Sequence, residues 1–201
     1  MTTKLPASFL PAKFQVLSGS ALKLIAITLM LIDHTGLMIL YNYPATTATL
    51  FSFGGVDYSW YRIFRDIGRA AFPIFCFLLI EGFLHTHDVK KYALNLGIFA
   101  LVSEVPFDLA FAGKPFYLNY QNVFFTLFIG LVMMIFLQKI DEKTHQDGTN
   151  WRGANWKVSI GKLLVIVAAC TVATLLKTDY SAMGILTIVL MYNLRNNKMY
   201  C

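Results

Sequence analysis

An aspartate and a histidine stand side by side in the apolar stretch LMLIDHTGLM, which runs from Leu29 to Met38. An ionisable residue at bilayer depth costs roughly 2.5 kcal/mol or more on insertion scales, so Asp33 and His34 need a compensating role. A histidine beside carboxylates can act as a general base near neutral pH. Sequence neighbours lie about 100° apart around a helix. We therefore expect either that one of the two faces a cavity while the other orients a neighbour, or that His34 takes its carboxylate from another helix.

Three further pairs of ionisable residues are spaced four apart, which places both members of each pair on one helix face. The pairs are Arg65 with Arg69, Glu81 with His85, and Glu104 with Asp108. Two carboxylates on one face repel each other unless a cation lies between them or one is protonated. Pro106, between the two acids, predicts a kinked helix.

The rise of about 1.5 Å per helical residue gives each of these side chains an approximate depth in the membrane. Seven of them fall in the outer half of one predicted bundle: Asp33, His34, Arg65, Arg69, Glu104, Asp108 and Asn122. A second group falls near the inner end: Glu81, His85, Lys23, Lys90 and Lys91. The structural alternative is that these residues only hold helices together, through hydrogen bonds worth about 0.6 kcal/mol on average. In that case Arg65–Glu104 and Arg69–Asp108 are ion pairs without a chemical role.

The elements that must position these residues are membrane helices. The 201-residue chain is 57% hydrophobic and 14% charged, whereas soluble domains are about 45–50% apolar and about 25% charged. Six apolar runs predict spans: Ala21–Tyr41, Ile67–Leu84, Tyr92–Ala112, Asn122–Gln138, Ser159–Leu176 and the shorter Ser181–Leu194. Two long loops, 42–66 and 139–157, separate some of them. The sequence therefore predicts an all-α, polytopic transmembrane helix bundle over residues 21–194.

The segments that flank this bundle are short. Residues 1–20 contain two prolines and no continuous apolar core, so we expect a cytoplasmic or interfacial arm and not a cleavable signal peptide. Residues 195–201 are expected to form a short cytoplasmic tail. With both termini in the cytoplasm, twelve of the 17 Lys and Arg residues lie on the inner side, as the positive-inside rule requires. The net charge of +6 is thereby explained without binding to nucleic acid. The three cysteines do not have the spacing of metal ligands, and we expect neither a metal site nor a disulfide.

Several ordered motifs carry a resemblance to a known family. They are LKLIAITLMLIDHTGLMI (Leu22–Ile39), IGRAAFPIFCFLLIEGFLHT (Ile67–Thr86), KKYALNLGIFALVSEVPFDLAF (Lys90–Phe111), NVFFTLFIGL (Asn122–Leu131) and DYSAMGIL (Asp179–Leu186). Together they resemble the TraX family of conjugal-transfer membrane proteins.

This resemblance implies a multi-pass acyltransferase of the bacterial inner membrane, which transfers an acetyl group from cytosolic acetyl-CoA to an acceptor amine or hydroxyl. The acceptor would be a pilin N-terminus or a related cell-surface group. The resemblance implies that His34 is catalytic, as base or acyl carrier, with Asp33 as its companion. The other motif residues are Arg69, Glu81, Glu104 and Asp108.

Roles for the remaining candidates follow as hypotheses. Glu104 or Asp108 would orient His34, while Arg65 or Arg69 would stabilise negative charge or hold an anionic acceptor. The expected substrate-binding residues are Arg65, Arg69, Glu81, His85 and Asn122. The phosphates of acetyl-CoA would be attracted by Lys23, Lys90 and Lys91. The lipid bilayer is a partner, and a homo-oligomer is compatible with the sequence.

Two other functions stay open at this point. Ionisable residues inside a membrane bundle are also what proton-coupled transporters use. A non-catalytic assembly factor of a conjugation or secretion system is the third alternative. Loss of acetyl-CoA turnover in a folded His34→Ala variant would distinguish the enzyme from both.

Overall fold

The computed structural model describes residues 18–146 and 156–197, and it divides into two compact units, residues 1–78 and 79–201. The described helices are α1 (Gly19–Met38), α2 (Pro44–Thr47), α3 (Trp60–Arg69), α4 (Ala71–His85), α5 (Val89–Ala112), α6 (Val123–Gln146), α7 (Trp156–Leu175) and α8 (Ser181–Asn197). A 3₁₀ turn covers Leu40–Asn42, and two short strands, β1 (Phe51–Phe53) and β2 (Val56–Tyr58), form an antiparallel hairpin.

Five helical segments are long and apolar enough to cross a membrane: Gly19–Asn42, Trp60–His85, Val89–Ala112, Val123–Thr144 and Val158–Leu175. A shorter apolar helix, Ser181–Arg195, follows them. The predicted all-α polytopic architecture is thus confirmed, and the chain is a multi-pass membrane protein. The predicted arm lies outside the described residues up to position 17, as does the predicted tail from position 198. The cytoplasmic placement of both termini stays a prediction.

In the first unit, α1 packs against α3 at very short range. A Cβ added to Gly68 would lie 2.6 Å from the Cα of Asp33, and one added to Gly36 would lie 3.0 Å from the Cβ of Phe64. Position 33 is therefore level with 68 and position 36 with 64, so the two helices run antiparallel. Glycine at these positions lets the backbones approach, as small residues do in membrane helix pairs.

The second membrane helix begins earlier than the sequence predicted. The run was expected to start at Ile67, after a loop that extended to Asp66, but α3 begins at Trp60. Ser59 caps it, since its hydroxyl accepts a hydrogen bond from the backbone N–H of Arg62. The polar residues of this turn concealed the helix, because a search for apolar runs discards a segment that carries Arg62, Arg65 and Asp66.

In the second unit, α6 packs against α5, α7 and α8. Its core side chains Leu131, Met133 and Met134 are fully buried, as are Ile185 and Ile188 of α8. The predicted end of this span at Gln138 was wrong, because the helix continues to Gln146. Asp141 in that extension pairs with Lys162 of α7 at 2.5 Å, which favours helix beyond the apolar run.

Candidate functional site

An ion pair joins α1 to α3 in the first unit. Arg65 Nη1 donates to Asp33 Oδ2 at 2.6 Å, and both side chains are 16% exposed. The close approach at Gly68 brings the Asp33 backbone against α3 one turn from Arg65, which lets a short aspartate reach the guanidinium. Arg65 thus takes its carboxylate from the first helix, a pairing that the sequence did not predict.

The depth of this pair follows from the length of α1. Asp33 lies five residues before the end of the helix at Met38, which corresponds to about 7–8 Å along the helix axis. A charge at that depth is tolerated when it is paired, whereas removal of one partner leaves the other uncompensated. The pair therefore favours one rotation of α1 relative to α3, the one that keeps Asp33 next to Arg65.

His34 is half-buried and follows Asp33 on α1. The antiparallel register that sets 33 level with 68 also sets His34 level with Ile67. Arg69 lies in the last turn of α3 and is exposed. His34 and Arg69 thus occupy the same level of the helix pair to within one turn. The prediction that Arg69 begins the second helix was wrong, because α3 begins at Trp60 and ends at Arg69.

In the second unit, Glu104 and Asn122 join α5 to the start of α6. Glu104 Oε2 accepts hydrogen bonds from the backbone N–H of Asn122 at 3.1 Å and from the Asn122 amide. That amide also donates to the carbonyl of Ala100 at 3.0 Å, while Asn122 Oδ1 accepts from the N–H of Phe124 at 2.9 Å. Asn122 is therefore the N-cap of α6 and a bridge to α5, and its side chain is buried.

Asp108 lies one turn beyond Glu104 and is 2% exposed. Its Oδ2 accepts a hydrogen bond at 2.6 Å from the backbone N–H of Tyr117, in the loop after α5. Glu104 Oε1 and Asp108 Oδ1 are buried, and neither has a hydrogen-bond partner among the residues that the structure describes. Each acid thus has one oxygen held by a fixed donor and one oxygen still able to accept.

The loop after α5 is held by residues that the sequence analysis missed. Gln121 forms a parallel bridge with Thr178, in which the N–H of Gln121 donates to Lys177 O and the N–H of Asp179 donates to Gln121 O. The hydroxyl of Tyr120 donates to Asp179. Asp179 opens the DYSAMGIL motif, which was the only signal in the sequence. The bridge connects the loops at one end of the unit and holds Asn122 in place.

Glu81 and His85 lie near the end of α4. Arg195 Nε donates to Glu81 Oε1 at 2.9 Å, and His85 Nδ1 lies 2.8 Å from the Glu81 carbonyl and 3.6 Å from Glu81 Oε2. Lys90 and Lys91 are exposed in the first turn of α5, in the same unit, whereas Lys23 is exposed on α1 in the first unit. Arg195 was not among the candidates, because its place in a predicted tail hid its pairing with Glu81.

The structure thus groups the candidates by unit. Asp33, His34, Arg65 and Arg69 belong to the first unit, and Glu104, Asp108 and Asn122 to the second. Their gathering around one cavity stays a prediction. Within residues 18–146 and 156–197, no group of three or more His, Cys, Asp or Glu side chains could hold a metal ion.

Apolar helices long enough to span a membrane, with paired ionisable residues inside them, define a polytopic membrane protein. Comparison with known families makes this more specific. Residues 18–200 match the family described as "TraX protein". The match covers nearly the whole sequence, so the chain belongs to the TraX family.

A curated relative gives a second comparison. The chain is 32% identical over 126 residues to a protein of Dichelobacter nodosus named "Probable fimbrial assembly protein FimC, serogroup H1". The alignment covers 59% of this chain and 46% of that protein, so the chain spans less than half the length of its relative. None of the solved structures matches the chain significantly.

Proposed function

We propose that this protein is an integral membrane acyltransferase of TraX type, which transfers an acetyl group from cytosolic acetyl-CoA to an acceptor amine or hydroxyl. The observation that carries the proposal is the placement of His34 in a membrane helix next in sequence to Asp33, which forms a partly buried ion pair with Arg65. A buried ion pair costs desolvation, and an inert helix contact can be made by apolar side chains. Its position next to a histidine supports a chemical role for this level of the helix pair.

The proposed reaction needs a base and a site for negative charge. His34 accepts the proton of the attacking amine or hydroxyl as the new bond to the acetyl carbonyl carbon forms. The carbon–sulfur bond of the thioester then breaks, and His34 returns the proton to the leaving thiolate of CoA. Arg69, exposed at the level of His34, is placed to stabilise the oxyanion of the tetrahedral intermediate or to hold an anionic acceptor. In the alternative scheme, His34 itself attacks the thioester, carries the acetyl group transiently and passes it to the acceptor.

The pair of Asp33 and Arg65 then acts as a positioning device. Because Arg65 binds Asp33 at 2.6 Å, the pair opposes rotation of α1 against α3 and so favours one direction for the next side chain, His34. Glu104 and Asp108 are candidates to accept a hydrogen bond or a proton from the acceptor, because each has a buried oxygen without a partner among the described residues. Lys23, Lys90 and Lys91 are exposed cations that suit the phosphates of the donor.

The acceptor that we propose is the N-terminal amine of a pilin or a related cell-surface group, with the enzyme in the bacterial inner membrane. The name of the D. nodosus relative, a probable fimbrial assembly protein, supports a link to fimbriae. The same name favours a second candidate, a membrane assembly factor of pili or fimbriae that has no catalytic activity.

The test is acetyl-CoA turnover by the purified chain in lipid nanodiscs, measured as release of free CoA thiol with and without a peptide that has a free N-terminal amine. His34→Ala should lower turnover by about 10²–10⁴-fold, the usual contribution of a general base. His87→Ala is the matched control, because His87 is exposed between α4 and α5 and should have no effect.

The outcomes separate the two candidates. Turnover that His87→Ala retains and His34→Ala loses, with both variants folded, supports the acyltransferase. Equal turnover in both variants removes His34 from the mechanism. Absence of acetyl-CoA binding and turnover in the unmodified chain contradicts the enzyme and leaves the assembly factor as the better proposal.

A further inference from the structure

The hairpin between the first two membrane helices has one aromatic face and one polar face. Cross-strand pairs are Phe51 with Tyr58, Ser52 with Asp57, and Phe53 with Val56. Because side chains alternate along a strand and cross-strand partners share a face, Phe51, Phe53, Val56 and Tyr58 lie on one side. The Phe51 and Tyr58 rings stack there with centroids 5.1 Å apart. On the other side, the Ser52 hydroxyl donates to the Asp57 carboxylate.

The β1 side of the aromatic face is open to its surroundings, whereas Val56 and Tyr58 of β2 are half-buried. Phe53 is 76% exposed and Phe51 is 53% exposed, although both are large apolar side chains. Tyr41, Tyr43 and Trp60, which flank the hairpin in sequence, are also at least half exposed. Such a concentration of exposed aromatic rings marks a contact surface and not a water-exposed loop.

The position of the hairpin relative to the membrane follows from α1 and α3. The register that sets 36 level with 64 brings Tyr41 level with the first turn of α3, where its ring lies 5.5 Å from that of Tyr61. The 20 residues of α1 rise about 30 Å, the thickness of the hydrocarbon core. The end of α1 is therefore at a membrane boundary, and β2 ends only two residues before Trp60.

We propose that this aromatic face inserts into the interfacial layer of the lipid bilayer and anchors the link between the first two spans. Tyr and Trp are enriched at that layer because their rings are apolar and their tips are polar. The helices on either side of the hairpin also expose large apolar side chains, Leu31 and Ile39 before it and Ile67 after it, as lipid-facing helices do. The polar face of Ser52 and Asp57 and the edges of the two strands need hydration, which places the hairpin in the interface and not in the hydrocarbon core.

The proposal is tested by the quenching of single tryptophans in nanodiscs. Trp60, Trp151 and Trp156 are first replaced by Tyr, and Phe53→Trp or Ser52→Trp is then introduced. The nanodiscs contain phosphatidylcholine brominated in the upper part of its acyl chains, and acrylamide is the water-soluble quencher. The brominated lipid should quench the Phe53→Trp variant several-fold more strongly than the Ser52→Trp variant, and acrylamide should show the reverse order.

Two results would overturn the anchor. Equal quenching of both variants by acrylamide, with little by the brominated lipid, would place the aromatic face in water. Shielding of the Phe53→Trp variant from both quenchers would mean that protein covers the face, as a second copy or another partner. Phe51→Trp, which reports on the same face from the paired end of β1, repeats the measurement if a substitution at position 53 disturbs the hairpin.

Discussion

Gly68 sets how closely the first two membrane helices approach each other. A Cβ at this position would lie 2.6 Å from both the Cα and the N of Asp33, and those are backbone atoms that cannot give way as a flexible side chain can. The Asp33–Arg65 pair depends on this contact, because an aspartate reaches only a short distance from its own backbone. The position of the candidate base His34 is thus connected to a glycine that has no chemistry of its own.

Gly68→Ala should therefore destabilise the protein by about 1–3 kcal/mol, the usual cost of overpacking. The added methyl group forces α1 and α3 apart, and this separation breaks the contact of 2.6 Å between Arg65 and Asp33. Thermal unfolding in detergent micelles measures the loss of stability. Gly19→Ala is the control, since a Cβ there meets nothing within 4 Å. A Gly68→Ala protein as stable as the Gly19→Ala protein would show that the helices are not packed at this distance.

The sequence singled out ionisable residues inside the helices but not the partners with which they pair. Asp33 and His34 could be found because charged and polar residues are costly in an apolar run. The pairing of Arg65 with Asp33 could not be found from the sequence, because it depends on the register of two helices. That register is set by the close contact at Gly68. Single-sequence patterns give the face of each helix but not the distance between two faces.

At the scale of elements, the start of α6 is held by Glu104 from the preceding helix as well as by its own cap. Asn122 donates hydrogen bonds to Glu104 from both its backbone N–H and its side-chain NH₂ group. Its side-chain oxygen, Oδ1, accepts a hydrogen bond from the backbone N–H of Phe124. A helix begins with backbone N–H groups that lack partners within the helix. Here the Glu104 carboxylate and the Asn122 side-chain oxygen accept hydrogen bonds from two of these N–H groups. The negative charge of Glu104 also suits the positive end of the helix dipole.

Asn122→Ala should fray the first turn of α6. The loss of the cap costs about 1 kcal/mol. The hydrogen bonds that the Asn122 side-chain amide donates to Glu104 and to the Ala100 carbonyl are lost as well. Hydrogen exchange of the backbone amides of residues 123–127 should become faster, while amides in the middle of α6 keep their protection.

Asn193→Ala is a matched control for this prediction, because Asn193 is an exposed asparagine in α8 of the same unit. Unchanged exchange in the first turn of α6 after Asn122→Ala would show that the Gln121–Thr178 bridge alone holds the helix start.

The prediction of elements succeeded where the apolar pattern was continuous. The runs at 21–41, 92–112 and 159–176 became α1 with its 3₁₀ turn, α5 and α7 within a few residues. It failed at two places where charged residues belong to a helix. The start of α3 at Trp60 is stabilised by the Ser59 cap, and the extension of α6 beyond Gln138 is stabilised by the ion pair of Asp141 with Lys162. The hairpin was hidden in a predicted loop, because two strands of three residues are too short for a pattern search.

At the scale of the whole molecule, the distribution of basic residues predicts the orientation of the chain in the membrane. The excess of Lys and Arg on one side predicts that the loop between α4 and α5 faces the cytoplasm, and that the loop after α5 faces the opposite side. The proposed function depends on this orientation, because acetyl-CoA is cytosolic and Lys90 and Lys91 begin α5 at the predicted inner end.

Two exposed positions on either side of α5 test the orientation directly. In a chain whose cysteines Cys76, Cys170 and Cys201 are replaced by alanine, Lys114→Cys should react with a membrane-impermeant maleimide in intact cells. His87→Cys should react only after the membrane is permeabilised, since α5 crosses the bilayer between the two positions. Labelling in the reverse order would place Lys90 and Lys91 on the side away from cytosolic acetyl-CoA. That result would remove these lysines from donor binding, and His34 would then have to be reached by the donor from the other end of the helices.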